Sequence, residues 1–437
     1  MNFDIAEETI VKPSFAPRDL PPVSKMAQGL IGSEILKIAA DIRTMVAEGH
    51  TICNLTVGDF DPKYFPIPKD LRKSIEAALN AGETNYPPSD GMLNLRKAVK
   101  NFYERRLGLD YPVESFIITS GARPAIYATY TTLIEEGDKV VYPIPSWNNN
   151  HYCHLSRATW ERAICRPEDS FLPTREILEG TLEDAKLLSL CSPLNPTGTA
   201  FTRDALEGIC DLVIDENDRR DGDERPLFIM YDQVYWMLTF GDTVHHNPVS
   251  LRPELASNTI FVDGISKAFA ATGVRVGWAV AAPDVAHRMS NILGHIGAWA
   301  PRAEQVATAV LLLDDDAIDG YHATMIGEIE SRLNLLYGGI RSLREDGFPV
   351  DAIPPMGAIY LTARFDLRGR STARGTVLQT NEDIRKYLLE QARLAVVPFQ
   401  AFGSEENTGW FRLSVGAVSL DDIEQMLGRL REALELL

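Results

Sequence analysis

A lysine and an arginine spaced eight residues apart give the strongest local signal for chemistry. Lys267 follows an apolar run at residues 259–262, in a loop of small residues where its amine can be kept out of water. A desolvated amine is nucleophilic towards an aldehyde. Arg275 stands between Gly273 and Gly277 and could offer a two-pronged guanidinium to a phosphate. Taken alone, this segment could equally be an ordinary surface loop.

Two other polar residues also come directly after apolar runs. Asn195 follows residues 187–190, within a Ser-Pro-Leu-Asn-Pro-Thr-Gly segment, and Asp232 follows residues 227–230. Ligands of open α/β folds bind outside the carboxyl ends of the strands, so both side chains could face a ligand. The alternatives are a turn around Asn195 and a helix cap at Asp232.

The three segments together resemble a known family. Three elements occur in order: N-P-T-G at residues 195–198, D-x-x-Y at 232–235, and S-K separated by seven residues from R at 266–275. This pattern is similar to that of the pyridoxal-phosphate-dependent aminotransferases, class I/II, of fold type I. The resemblance runs from about Gly58 to Arg412. It implies pyridoxal 5'-phosphate as the cofactor, amino acid metabolism as the role, and exchange of an amino group between an L-amino acid and a 2-oxo acid.

The resemblance also implies roles for individual residues. Lys267 would form the Schiff base with the cofactor aldehyde and shuttle the proton. Asp232 would keep the pyridine nitrogen protonated, so that the ring can accept electrons. Asn195 and Tyr235 would hydrogen-bond the phenolic oxygen of the ring. Lys267, Asp232 and Tyr235 are therefore the expected catalytic residues.

The phosphate of the cofactor is expected to meet a second group of residues. Arg275 matches the phosphate-binding arginine, and Ser266 beside the lysine is a further cofactor contact. The backbone amides of Gly121 and Ala122, at the start of a predicted helix, match the phosphate loop of the family. Tyr86 matches a tyrosine that reaches the phosphate of the neighbouring subunit, which implies a homodimer.

The remaining expected contacts concern the cofactor ring and the substrate. Trp147 matches the aromatic residue that stacks on the ring, with a buried core tryptophan as the alternative. Arg412 corresponds to the arginine that pairs with the substrate α-carboxylate, with a domain salt bridge as the alternative. Gly58 resembles the glycine whose backbone lies beside that carboxylate. Asn195 is expected near the substrate as well.

Two positions depart from the family pattern. Gly264 stands where a serine usually binds the phosphate, so a hydrogen bond to a charged group, about 1.5 to 3 kcal/mol, is missing or is replaced by another donor such as Arg123. On this view Gly264→Ser should slow the loss of cofactor. Gln233 replaces an acid that usually follows the aspartate, and we expect this change to be mild.

The substrate side chain is poorly determined by the sequence. Aspartate-specific members carry an arginine before the proline that opens the next helix, but residues 294–301 contain none. A dicarboxylate preference is therefore not predicted. Candidate side-chain contacts, each of which could also be ordinary packing, are Trp299, His295, Ile31, Gly32 and Tyr360.

The elements that must position these residues alternate between helix and strand from residue 66 to about 315. Periodicity predicts helices over residues 71–79, 92–105, 125–135 and 203–214, and strands over 116–119, 139–142, 187–190, 227–231 and 259–262. The strands are mostly apolar on both faces, which is typical of a parallel sheet covered by helices. The predicted fold class is α/β, with a large domain built on a mostly parallel sheet.

A smaller α+β domain is predicted to follow. Helices over residues 324–344 and 381–390 and from 421 mix with strands over 359–365, 394–398 and 410–414. We expect the N-terminal segment to complete this domain. The predicted division is an N-terminal arm and part of the small domain at 1–65, the cofactor-binding domain at 66–315 and the small C-terminal domain at 316–437.

Composition limits the classes of partner. The 437 residues carry 43 Lys plus Arg against 61 Asp plus Glu, for a net charge of -18. Such a chain repels polyanions, so neither nucleic acid nor an anionic membrane is an expected partner. Apolar runs are too short to span a bilayer and no secretory signal is recognisable, which predicts a cytoplasmic protein. The five widely spaced cysteines read as thiols, and no metal site is predicted.

Two alternatives to transamination stay open at the level of sequence. A lyase, cyclase or oxidase could use the same fold, cofactor and lysine. A regulatory module that binds the cofactor without catalysis would be expected to carry a basic DNA-binding domain, which the acidic chain does not show.

Overall fold

The computed structural model describes Phe15 and residues 23–30, 34–220, 222–405 and 407–437, without the side chains of 34–37. The chain divides into two units, residues 1–32 and residues 33–437. Within the first unit, a short helix begins after Ser24, whose hydroxyl accepts from the Ala27 amide at 3.2 Å. The predicted N-terminal arm lies mostly outside the described residues.

The strands of the described residues are mostly short. They are β1 Cys53–Asn54, β2 Phe116–Thr119, β3 Lys139–Ile144, β4 Thr159–Ile164, β5 Ala185–Cys191, β6 Phe228–Asp232, β7 Thr259–Gly264, β8 Gly277–Val280, β9 Val350–Ala352, β10 Tyr360–Phe365, β11 Leu394–Ala395, β12 Val397–Pro398 and β13 Trp410–Ser414.

The α-helices range from single turns to one of 31 residues. They are α1 Lys25–Gly29, α2 Glu34–Ala47, α3 Lys69–Asn80, α4 Leu93–Leu107, α5 Ala122–Leu133, α6 Asn149–Ser156, α7 Arg175–Leu178, α8 Arg203–Arg219, α9 Pro248–Leu251, α10 Ile265–Ala268, α11 Pro283–Ile296, α12 Arg302–Leu312, α13 Asp315–Glu345, α14 Asn381–Ala392 and α15 Leu420–Glu435.

A seven-stranded sheet in the order β2-β8-β7-β6-β5-β3-β4 forms the larger framework. Its strands run parallel except β8, which pairs antiparallel with both β2 and β7. Strands β2 and β7 are buried at every position, as expected for strands covered on both faces. The predicted mostly parallel α/β sheet is confirmed.

Smaller sheets contain the later strands. A four-stranded antiparallel sheet has the order β12-β13-β10-β9, and β1 pairs in parallel with β11. Because β1 precedes the large sheet and β11 follows it, both ends of the chain contribute to this part, as the sequence predicted. The domain boundaries near residues 65 and 315 stay predictions.

Local sequence signals explain several helix ends. Helices α14 and α15 begin with capping boxes, formed by Thr380 with Asp383 and by Ser419 with Asp422. Helix α4 ends at Gly108, whose φ of 67° suits a residue without a side chain. These signals fix helices that pack against the small sheet and the large sheet.

The sequence missed strands β1, β4, β8 and β9, helices α6, α11 and α12, and several helices of a single turn. Strand β4 lies at an edge of the sheet and exposes most of its residues, so it lacks a continuous apolar run. Strand β8 spans only four residues after the glycine-rich loop.

The five cysteines are free thiols, as expected. None of the described helices is long and apolar enough to cross a membrane.

Candidate active site

A cavity of about 740 Å³ opens at the carboxyl edge of the large sheet, against the small sheet. Most of the predicted site residues line it. These are Gly58, Ala122, Trp147, Asn195, Asp232, Tyr235, Ser266, Lys267, Arg275 and Arg412. The structure therefore brings together residues as far apart in the sequence as Gly58 and Arg412.

Lys267 enters this cavity from the short helix α10 that follows β7. Its Nζ donates to the Gly58 carbonyl oxygen at 2.7 Å. Burial lowers the pKa of Lys267 to about 8; the carboxylate of Asp59 opposes this shift, and the nearby guanidinium groups, Arg412 foremost, add to it. A larger fraction of this amine is thus neutral near pH 7 than in a solvated lysine, and a neutral amine is the nucleophilic form.

Asp232 lies one strand away from Lys267. It is the last residue of β6, which pairs in parallel with β7 so that Asp232 stands opposite Val262. Its Oδ1 accepts from the Val234 amide at 3.1 Å. Burial raises the pKa of Asp232 to about 6, against the opposing effects of the Val234 amide and of Lys267. A carboxylate in this setting is stabilised by a cationic group brought beside it.

Arg412 comes from the small sheet and is 1% exposed. Its guanidinium lies between the rings of Tyr360 and Phe402, at 4.8 and 4.9 Å from their centroids. Nη2 donates to the Thr56 carbonyl oxygen at 2.6 Å, and Nη1 donates to Asn195 Oδ1 at 3.2 Å.

The hydrogen bonding of Arg412 is incomplete. Nε has no partner, and no carboxylate among the described residues forms an ion pair with the group. Burial lowers the pKa of Arg412, because the charge is desolvated without a counter-ion. A buried guanidinium with an unused donor is suited to a ligand carboxylate. Among the described residues, Arg412 therefore does not form the salt bridge between domains that was the alternative.

Asn195 reaches the cavity through the loop that follows β5. This loop packs so closely on the small sheet that a Cβ at Gly198 would lie 2.1 Å from the Tyr360 carbonyl oxygen. Gly198 also has a φ of 72°, so the close approach and the backbone conformation both require glycine. The loop thereby places Asn195 beside Arg412 of the other sheet.

Arg275 lies over the beginning of α5. Its Nη2 donates to the Ser120 carbonyl oxygen at 2.7 Å, and its Nη1 donates to that of Thr272 at 2.6 Å. A Cβ at Gly121 would lie 2.3 Å from Arg275 Nη2, and Gly121 has a φ of 81°. The glycine is therefore what lets the guanidinium approach the helix N-terminus, where backbone amides and a positive charge favour an anion.

The space around Gly264 bears on the expected effect of a serine at this position. A Cβ there would lie 2.7 Å from Gly277 Cα and 2.9 Å from the Val276 carbonyl oxygen, both backbone atoms of the neighbouring segment. A serine at this position would have to displace that backbone. Gly264→Ser is therefore expected to disturb the turn that carries Lys267, which argues against slower cofactor loss in this variant.

Three further predicted residues have distinct places. Ser266 is 7% exposed and lines the cavity. Trp147 also lines it, while its ring packs 6.2 Å from that of Phe402, so cavity lining and core packing are combined in one side chain. Tyr86 is 81% exposed and does not line the cavity of its own chain; its ring stands edge-on to Trp299 at 5.6 Å.

Sequence reasoning missed some residues of the site. Asp59 lines the cavity and raises the pKa of Lys267, and Thr56 accepts a hydrogen bond from Arg412. Neither stands in a distinctive motif, and Thr56 contributes only its backbone. Among the candidate side-chain contacts, Tyr360 lines the cavity, whereas His295 and Trp299 do not. Ile31 and Gly32 lie outside the described residues.

The fold is α/β, with a cavity at the carboxyl edge of the large sheet that is rich in positively charged side chains. A family model described as "Aminotransferase class I and II" matches residues 50–430, and the chain belongs to this family. The aspartate aminotransferase of Bacillus subtilis (strain 168) is 26% identical over 94% of this chain and 99% of its own length. That of Geobacillus stearothermophilus is 28% identical, with the same coverage of 94% and 99%.

A solved structure gives the same result. The crystal structure of the aspartate aminotransferase from Rhizobium meliloti has a TM-score of 0.86 and 26% identity, covering 97% of this chain and 100% of that chain. The chain is accordingly a pyridoxal-phosphate-dependent aminotransferase, a transferase that acts on an amino acid and a 2-oxo acid. The comparisons lend no support to the alternative of a lyase, cyclase or oxidase.

The residues present fit this cofactor. The Arg275 guanidinium packs against Gly121 at the N-terminus of α5, so a fixed positive charge and the first backbone amides of the helix lie side by side, an arrangement that favours a phosphate. The cavity also holds Lys267, Arg123, Arg275 and Arg412 against Asp59 and Asp232. This excess of positive groups, in a protein with a net charge of -18, suits a phosphate together with a substrate carboxylate.

Proposed function

We propose that Lys267, Asp232 and Tyr235 are the catalytic residues of this aminotransferase, and that Arg412 binds the α-carboxylate of its substrates. The observation that carries the proposal is that one cavity unites a partly neutral lysine, a carboxylate that needs a cation and an arginine without a counter-ion. When bound, pyridoxal phosphate supplies an aldehyde for amines and a ring that accepts electrons from the substrate Cα.

Each residue has a defined task in this proposal. Arg412, with Asn195 and the backbone at Gly58 beside it, binds the α-carboxylate and so orients the Cα–H bond. Lys267 Nζ then takes the Cα proton as general base and later returns it as general acid. Asp232 holds a proton on the ring nitrogen, and Tyr235 and Asn195 donate to the ring's phenolic oxygen.

The remaining cofactor contacts complete the proposal. Arg275, Ser266 and the amides of Gly121 and Ala122 hold the phosphate at the N-terminus of α5. Trp147 covers one face of the ring. What supports these roles is that Ala122, Trp147, Ser266 and Arg275 line the cavity, while Gly121 lies directly against Arg275.

The reaction can be tested without assuming a substrate pair. Purified enzyme is mixed with single amino acids in the absence of an oxo acid, and the consumed amino acid is counted. We expect one equivalent per site and then arrest, with turnover resuming when a 2-oxo acid is added. Continuous release of ammonia or peroxide from the amino acid alone would contradict the proposal.

An acidic amino acid is the substrate that the cavity supports best. The relatives named above are aspartate aminotransferases. Arg123 lines the cavity 5.5 Å above the Trp147 ring, and no described carboxylate forms an ion pair with it. A second carboxylate of the substrate would therefore pair with Arg123, since residues 294–301 contain no arginine.

A comparison of two substrates tests this role for Arg123. Arg123→Met should lower kcat/KM for aspartate by about 10- to 100-fold while leaving that for alanine within a factor of two or so. Equal losses for both amino acids, together with faster loss of cofactor on dialysis, would instead assign Arg123 to the phosphate.

A cytoplasmic homodimer completes the proposed function. Tyr86 supports the dimer, because an exposed aromatic side chain outside its own cavity is available to a neighbouring subunit.

A subunit-exchange experiment tests the role of Tyr86. The Lys267→Ala and Tyr86→Ala variants are unfolded, mixed in equal amounts and refolded together. Hybrid dimers would contain one site with both residues, so activity should recover to about a quarter of the native value if Tyr86 acts across the interface. No recovery would contradict this role.

A further inference from the structure

Two buried tyrosines from different sheets meet at the wall of the cavity. Tyr235 follows β6 of the large sheet, and Tyr360 begins β10 of the small sheet. Their hydroxyl oxygens lie 2.6 Å apart, and their rings stand at 72° to each other. Tyr235 is 3% exposed and Tyr360 is 0% exposed. The pair is thus a short hydrogen bond between two buried side chains.

The direction of this hydrogen bond follows from counting protons. Each hydroxyl has one proton to donate and can accept from others. If Tyr235 donates its proton to the phenolic oxygen of the cofactor, it has none left for Tyr360. Tyr360 must then be the donor, and it has no other hydrogen-bond partner among the described residues.

We propose that Tyr360 is a positioning residue that donates a hydrogen bond to the Tyr235 hydroxyl and so holds Tyr235 as a donor to the cofactor. The inference rests on the proposed role of Tyr235. A hydroxyl that accepts a hydrogen bond becomes a stronger donor itself, because hydrogen bonds in a chain polarise one another. Tyr360 thereby strengthens the contact that stabilises the deprotonated phenolic oxygen.

The surroundings connect this pair to the substrate side of the cavity. The Arg412 guanidinium lies over the Tyr360 ring, and Lys267 Nζ lies 6.0 Å from the centroid of the Tyr235 ring. Asp59 and Cys191 are the other titratable groups that face the pair. Burial raises the pKa of both tyrosines, so both hydroxyls keep their protons near neutral pH.

The test uses the holoenzyme and the pH dependence of the absorbance of its bound cofactor. Tyr360→Phe removes the donor and leaves the ring in place. We expect the midpoint of the absorbance transition to rise by about 0.5 to 1 pH unit, because a deprotonated phenolic oxygen loses stabilisation. Tyr235→Phe should raise it further, and adding Tyr360→Phe to that variant should change nothing more.

Tyr387→Phe is the matched control. It removes another hydroxyl from a buried tyrosine ring, one that donates to the Ala433 carbonyl oxygen at 2.6 Å outside the cavity. The absorbance transition of this variant should stay at the native pH. Thermal unfolding of all variants, measured with excess cofactor, checks that each is folded.

Three results would overturn the inference. If Tyr235→Phe moves the midpoint and Tyr360→Phe does not, Tyr360 does not act on Tyr235, and a raised KM alone would then place it on the substrate. If the two shifts add in the double variant, Tyr360 acts independently of Tyr235. If Tyr235→Phe itself leaves the midpoint unchanged, the proposed role of Tyr235 fails and the inference falls with it.

Discussion

The two sheets that border the cavity deliver their functional side chains in different ways. The large sheet supplies Asp232 from the last position of β6, and Asn195 and Lys267 from the segments that follow β5 and β7. The small sheet supplies Tyr360 and Arg412 from within β10 and β13, where Arg412 pairs with Thr362. Side chains two residues apart on a strand share a face, so Tyr360 and Arg412 become diagonal neighbours.

The position of the side chains, at strand ends or within strands, suits the two sheets to different tasks. The ends of parallel strands present several side chains to one point, which suits groups that act on one reacting atom. The antiparallel sheet presents its side chains from a fixed, fully buried face, which suits the desolvated guanidinium of Arg412. In the roles proposed above, the large sheet supplies the groups that act on the reacting atoms. The small sheet supplies groups that orient others, since Arg412 would orient the substrate and Tyr360 the Tyr235 hydroxyl. The variants below test this division.

The largest effect is expected at Lys267. Lys267→Ala removes the nucleophilic amine and the base, so turnover should fall to background and the yellow colour expected of the native protein should be lost. Absorbance spectra and single-turnover assays measure both. A variant that kept the native spectrum would remove the basis for placing the reaction at this residue.

A smaller effect, of a different kind, is expected at Arg412. Arg412→Lys keeps a positive charge but loses the fork that can pair with both carboxylate oxygens. KM for amino acids should rise by about 100-fold while the cofactor spectrum stays native. If the spectrum changes and KM does not, Arg412 acts on the cofactor and not on the substrate, and the proposed role of this residue is wrong.

The same difference explains how much could be predicted from the sequence. Asn195, Asp232 and Lys267 were recognisable because each comes directly after an apolar strand, a local signal. Arg412 could be found only through the family resemblance, because its neighbours Thr56, Phe402 and Tyr360 are distant in sequence. Strand β8 was missed because its antiparallel insertion between β2 and β7 depends on pairing that no local pattern records.

Glycine positions show a further limit of sequence reasoning. The sequence comparison with the family suggested that Gly264 lacks a phosphate-binding hydroxyl. In the structure, the backbone of residues 276 and 277 lies so close to Gly264 that it leaves no room for a side chain. Only the packed structure shows that contact. The resemblance alone therefore could not show what a side chain at residue 264 would displace.

Gly264→Ser tests this steric reading. The added Cβ must displace backbone atoms of the neighbouring segment, so we expect the free energy of unfolding to fall by about 1 to 3 kcal/mol and cofactor to dissociate faster. Thermal unfolding and dialysis measure these effects. Gly320→Ser is the control, since a Cβ at Gly320 meets nothing within 4 Å. Slower cofactor loss in Gly264→Ser would restore the original expectation.

An effect on stability alone is expected from the charge of Asp232 in the protein without cofactor. Burial raises its pKa from 3.8 to about 6, so the folded protein holds a proton that the unfolded chain releases between those values. Stability is therefore lost as pH rises from about 4 to 6, and the whole cost is present above pH 6 or so. Asp232→Asn removes that cost and keeps the shape of the side chain.

Asp232→Asn should accordingly raise the free energy of unfolding of the apoprotein by about 1 to 3 kcal/mol at pH 7.5 and by less at pH 5. Urea unfolding at the two pH values measures the difference. Asp110→Asn, at a side chain that is 72% exposed, is the control and should show no such gain. A destabilised Asp232→Asn apoprotein at pH 7.5 would mean that the large sheet already neutralises this carboxylate. The carboxylate would then not need a cation from the bound cofactor, and its part in the chemistry assigned to the strand ends would have to be withdrawn.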